Sequence, residues 1–315
     1  MTVAPSSRNA VARFKSDVMR IVCVACAALI LSLLCLVVGY LIYLGIGFLN
    51  VRFFTQDPIP MGLDGAPGGM RNAIVGTIVL IAMASIAGVP TGILAGVYLS
   101  EYDAGSWLAR PVRFISDVLA GVPSIVVGIL AYELLVQSFA SGYFANIPYF
   151  RDIQGYNAWA GAAALAFIMI PIVARTTEEM LRLVPGSYRE ASIALGASKA
   201  GTIIRVVVPS AIESITTGVM LAVARVAGET APLLFTIIGT NQMPIEVDRH
   251  FPFIHSLGLQ AQYPSLTLQV YNYAMRPDPL QKHQAWAGIL VLIFLIFVLN
   301  LGVRYATRPR GKVKA

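Results

Sequence analysis

Charge is scarce in this sequence: only 12% of its 315 residues are Asp, Glu, Lys or Arg, about half the share of an ordinary soluble domain. The charges fall between long blocks that carry none, and the mean hydropathy is +0.72. A soluble globular enzyme and a disordered chain are thereby excluded. Neither needs uninterrupted apolar runs of about 20 residues, whereas crossing a bilayer core about 30 Å thick does. Cysteine is nearly absent, and Cys23, Cys26 and Cys35 all lie in the first apolar block. An odd number within one span is neither a disulfide framework nor a metal set, so they read as small helical hydrophobes. None of the lysines completes a Gly-x-x-x-x-Gly-Lys-Ser/Thr phosphate loop, so no ATP is expected to bind this chain by that route.

What is present is the pattern of an all-α, polytopic membrane protein with six transmembrane helices. Reading from charge to charge places them at 21–49, 72–100, 118–137, 158–174, 210–239 and 285–303. The first is too long for the apolar core of a signal peptide, which leaves residues 1–20 as an N-terminal arm carrying Arg8, Arg13, Lys15 and Arg20. With that arm inside, sixteen Lys and Arg fall on the cytoplasmic side and six in the outer loops. Both termini, including the basic tail 304–315, are therefore expected in the cytoplasm. The same asymmetry accounts for the formal charge of +7 without a nucleic-acid partner. Trp159 and Trp286 fall at outer helix ends, where interfacial anchors belong. Gly88, Gly92 and Gly96 recur at every fourth position, a smooth face for close helix packing. Pro90, Pro123, Pro171 and Pro232 interrupt four consecutive spans. Broken or kinked helices persist in lipid only where neighbours or a water-filled cavity satisfy the freed carbonyls, which favours a transporter-like core.

The stretch 175–209 between the fourth and fifth spans is the most informative. Pro185-Gly186 signals a turn, Ser187 and Glu190 have the spacing of a capping box, and Gly196 sits where a helix end wants a positive φ. A helix of about two turns over 188–195 is expected. So short a helix is marginal alone, and Tyr188, Ile193 and Leu195 are available to bury against the membrane face or a partner.

Glu190-Ala191-Ser192, three residues, Gly196, nine residues and Val206-Val207-Val208-Pro209 resemble the EAA loop of ABC importer permeases. Ser192 replaces the second alanine of that pattern, and valines replace its Ile and Leu. The resemblance implies a coupling helix in which Ser187, Glu190, Ala191 and Gly196 meet a groove on a separate ATPase. ATP and Mg would reside on that ATPase, and this chain would bind no cofactor. Gly121-Val-Pro-Ser-Ile-Val, the run Glu178 to Pro185, and Ala224-Arg225-Val-Ala-Gly-Glu229-Thr-Ala-Pro-Leu-Leu-Phe235 resemble the PstA-type permeases of phosphate-specific ABC transporters. That similarity covers residues 70–303 and implies a type I ABC importer permease core of five spans in a bacterial inner membrane. It also implies a PstC-type partner permease, a PstB-type ATPase dimer and an external phosphate-binding protein.

Charges inside the fifth span point to the substrate pathway. Arg225 falls near the middle of 210–239, where a charge costs about 2.5–3.5 kcal/mol on insertion scales and must face the bundle interior or water. Glu229 follows one turn later on the same helical face, then Thr230 and Pro232. Two roles stay open: an ion pair that locks the bundle, or a pore charge whose guanidinium matches phosphate oxygens while Glu229 keeps the empty site neutral. Arg175 is either a second station or a snorkelling residue. The outer loop 240–284, with Glu246, His250 and His255, reads as solvated and long enough to receive a binding protein. Rival classes fare worse. Glu178-Glu179-Met-Leu-Arg182 is one residue short of a prenyl-directed protease motif, and no His-Glu-x-x-His is present. A secondary transporter would show paired repeats with broken helices in both halves.

Overall fold

A backbone in hydrocarbon can satisfy its N–H and C=O groups only within a helix or a closed barrel. The apolar blocks accordingly become helices in a computed structural model, which describes residues 7–59, 68–102, 107–143, 153, 155–242 and 258–306. Helix α1, Ser7–Gly45, ends in a 3-10 turn and is followed by the short α2, Val51–Thr55. Then come α3 (Arg71–Glu101), α4 (Ala109–Gly121) and α5 (Ser124–Ala131), the last passing through a π-turn, Tyr132–Val136, into α6 (Gln137–Ala140). Helix α7 (Ala158–Arg182) precedes α8 (Gly186–Ala194) and α9 (Lys199–Thr202), and a second π-turn, Ile203–Val207, leads into α10 (Val208–Ala227). The chain closes with α11 (Ala231–Thr236), α12 (Leu266–Met275) and α13 (Pro279–Ala306). Among the described residues there is no strand.

Five helices are long and apolar enough to cross a membrane: Ala12–Phe48, Arg71–Glu101, Ala158–Arg182, Lys199–Ala227 and Pro279–Tyr305. A sixth candidate is a pair, Ala109–Gly121 and Ser124–Ala140, apolar enough to cross only when taken together and bent by 107°. The expected span 118–137 thus straddles an elbow, with Val122 and Pro123 at the corner. Hydropathy had joined the two arms because α4 keeps an apolar stripe, Phe114, Ile115, Val118 and Leu119, all exposed.

Other boundaries move for identifiable reasons. Helix α1 begins within the expected arm, since extending a formed helix costs far less than nucleating one. Its cysteines are free and exposed. Helix α7 runs two turns beyond 174, so Arg175 lies in the helix rather than in a connecting loop. Pro90 and Pro171 sit inside uninterrupted helices, and only Pro123 and Pro232 mark breaks. Of the basic tail, Arg304 belongs to α13, and residues 307–315 lie outside the described residues.

Helices α3 and α7 form the central pair. Gly88, Gly92 and Gly96 face Met169, Val173 and Thr177, and a Cβ on Gly92 would stand 2.7 Å from that of Val173. The main core joins Leu80, Ala84, Leu165, Met169, Val226, Leu233 and Ile237.

The stretch 240–284, expected as a solvated outer loop, corrects a further expectation. Residues 243–257, with Glu246, His250 and His255, lie outside the described residues, but the segment after them is packed rather than solvated. Tyr263, Leu266 and Leu268 are buried. The Leu266 N–H donates to Thr77 Oγ1 at 2.7 Å, and the Ala158 N–H donates to the Leu259 carbonyl at 3.1 Å. Burial pushes the Tyr263 hydroxyl up to about 12.

Candidate functional site

The expected fifth span is not continuous, and its discontinuity builds the site. Helix α10 closes at Gly228, whose N–H reaches back to the Arg225 carbonyl at 3.1 Å. Helix α11 restarts with Pro232 in its first turn, where the missing N–H costs nothing. Glu229 and Thr230 therefore lie in the break rather than on a shared helical face. The pair still forms: Arg225 Nε stands 3.8 Å from Glu229 Oε1, with the side chains 51% and 15% exposed. Carbonyls freed by the break find donors, as the rule for irregular backbone at membrane depth requires. Thr267 Oγ1 donates to the Glu229 carbonyl at 3.1 Å, and the Leu234 N–H donates to that of Thr230 at 3.0 Å. Thr267 lies in the first turn of α12, so the packed segment after residue 257 supports the break directly.

Arg225 also lines an open cavity of about 100 Å³. Its walls come from the α4–α5 elbow (Leu119, Val127, Leu130, Leu134) and from α7 (Phe167, Ile172). A guanidinium at the edge of an apolar cavity has few competing dipoles, which strengthens its attraction for an anion.

Arg175 lies elsewhere, in a ladder of ion pairs between α4 and the end of α7. Its Nη1 donates to Asp117 Oδ1 and its Nε to Glu179 Oε1 at 3.2 Å. One turn along, the Glu178 carboxylate, 7% exposed, accepts from Arg113 at 2.8 Å and pairs with Arg182 at 2.7 Å. Charge compensation of this density competes with a role for Arg175 as a free anion station. The i,i+4 spacings 175/179, 178/182 and 113/117 were visible in the sequence, but not that two helices would interleave them.

The α8 region lies beyond this ladder. The expected capping box does not form: α8 starts at Gly186 with Pro185 as its cap and no side-chain cap hydrogen bond. Starting two residues early puts Ser187 inside the first turn, and the Tyr188 N–H bonds the Pro185 carbonyl at 3.2 Å instead. Gly196 adopts φ +87° with open space where a Cβ would be. Helix α8 buries none of its residues, and Tyr188, Ile193 and Leu195 are exposed, Leu195 by 91%. Ser192, the departure from the alanine pattern, has its hydroxyl 2.9 Å from that of Thr202.

A polar joint missed in the sequence anchors this helix. Arg189 Nη2 and Nε donate to the two Glu101 carboxylate oxygens at 2.6 and 3.0 Å. Its Nη1 and Nη2 also donate to the carbonyls of Val184 and Leu181 at 2.7 and 2.9 Å. The bond to Glu101 raises the Arg189 pKa above its ordinary value.

The profile of the family described as binding-protein-dependent transport system inner membrane component matches residues 88–309. The chain belongs to this family. Among curated relatives of the permease, it is 39% identical to the phosphate transport system permease protein PstA of Yersinia pestis, over 82% of this chain and 79% of that one. It is 37% identical to PstA of Haemophilus influenzae, over 86% of each. The permease fold resembles that of a bacterial ABC transporter involved in alginate import, with TM-score 0.60, 13% identity and coverage of 95% and 100%. It also resembles the inward-facing MetNI methionine ABC transporter, with TM-score 0.52, 18% identity and coverage of 76% and 98%.

Proposed function

We propose that this chain is the permease subunit of an ATP-driven importer that moves inorganic phosphate across the bacterial inner membrane. The observation that carries the substrate is the 39% identity, over 82% of the chain, to a phosphate transport permease. Geometry supports the mechanism. Arg225 borders the cavity at a helix break and offers phosphate a planar, permanently charged donor set. Glu229 offsets that charge when no anion is present, so the site attracts its solute weakly enough to release it. Thr230 lies in the same break, and Arg175 is a second station only if the Asp117 and Glu179 contacts open during transport.

The energy comes from a partner. A PstB-type ATPase dimer, carrying ATP and Mg, engages α8 through Ser187, Glu190, Ala191 and Gly196, with the helix and both termini in the cytoplasm. A PstC-type permease completes the membrane unit, and an external phosphate-binding protein delivers the anion. ATP-driven closure of the ATPase displaces α8, and the bundle rocks between outward- and inward-open states. Uptake of labelled phosphate in cells lacking this chain tests the proposal. Uptake is expected to be lost and restored by the intact chain, with sulfate and molybdate failing to compete. Restored uptake of another anion in preference to phosphate would reassign the substrate.

A further inference from the structure

A helix that transmits movement must be fixed to what it moves, yet α8 buries none of its own residues. Its attachment is polar, and most of it passes through one side chain. We infer that Arg189 is a positioning residue that binds α8 rigidly to the ends of α3 and α7, so that a displacement of α8 reaches both central helices together. This inference rests on the proposed transport function.

Three features of the contact set support it. The guanidinium grips Glu101, at the last turn of α3, through both carboxylate oxygens at 2.6 and 3.0 Å. The same group donates to the carbonyls of Leu181, in the last turn of α7, and of Val184, just past its end; the Leu181 carbonyl also accepts from the Val184 N–H at 3.2 Å. Glu101 is 6% exposed and Arg189 24%, so solvent screens the pair far less than an open surface bridge. A second tie runs alongside: Lys199 Nζ of α9 lies 4.6 Å from the centre of the Tyr102 ring, the residue after Glu101. Only a planar fork reaches a carboxylate and two carbonyls at once. Lysine would keep the charge but not the geometry.

The test uses the full transporter reconstituted in vesicles with its ATPase, its partner permease and the phosphate-loaded binding protein. Phosphate moved per ATP hydrolysed is measured beside subunit co-purification. Arg189→Lys and Glu101→Gln are each expected to lower that ratio about tenfold, while the subunits still co-purify and ATP is still hydrolysed. An unchanged ratio in both variants would overturn the inference. So would parallel losses of assembly and transport with the ratio per assembled complex intact, since that is what a purely structural contact gives. If the unsubstituted complex hydrolyses ATP but moves no phosphate, the transport proposal itself fails, and this inference with it.

Discussion

Arg225 shows how far a single residue can be read from sequence. Its position among apolar neighbours marked it as costly, and cost of that kind is tolerated where a charge has something to do. The structure adds what spacing could not: Glu229 lies in a break, 3.8 Å away, and the guanidinium borders a cavity. Arg225→Gln keeps the polar volume and removes the charge. Phosphate uptake is expected to fall to background while the protein still inserts and co-purifies with its partners. Normal uptake would return Arg225 to a bundle-locking role. Arg189 illustrates the opposite case. Nothing distinguishes it in sequence from Arg182 or Arg205, because its importance lies in bringing Glu101, 88 residues away, to the end of α7.

At the scale of elements, the apolar blocks were legible because hydrocarbon leaves the backbone so few options. The direction of each helix was not. Mean hydropathy is blind to the 107° elbow between α4 and α5, and blind to the break before α11. The glycine stripe was readable for a better reason, since period four puts small residues on one helix face. Gly92→Leu tests it. Its Cβ would meet Val173 Cβ at 2.7 Å, and neither helix can yield without disturbing the whole α3–α7 seam. Overpacking of this kind costs about 1–3 kcal/mol or more. The yield of folded protein in detergent is expected to drop sharply, whereas Gly39→Leu, with nothing nearby, should leave it unchanged. The failed capping box at Ser187 has a similarly local cause: a start shifted by two residues takes the side chain out of capping position.

Across the whole molecule, the polar contacts concentrate where α3, α4, α7 and α8 converge, while the membrane-facing surface is apolar. The Arg113–Glu178–Arg182 cluster holds the elbow helix against the bundle there. Glu178→Gln leaves two cations facing each other around a buried amide. The loss is expected to be about 2 kcal/mol, at the lower side for breaking a buried pair because the arginines are 32% and 53% exposed. Thermal unfolding in detergent should show a Tm lower by several degrees. An unchanged Tm would mean that the Arg175–Asp117 pair and apolar contacts hold α4 without Glu178. Such cross-helix pairing was beyond the sequence, which displays charges in order along the chain but not which helix ends share a plane.

The seating of residues 258–269 carries an implication for biosynthesis. This late stretch wedges between helices made long before it: Thr77 from the second span and Ala158 from the fourth both hydrogen-bond its backbone, and Glu229 accepts from its Thr267. A nascent chain that has released only its first five spans is therefore a bundle with a vacant keyhole. The final quarter of translation supplies the key.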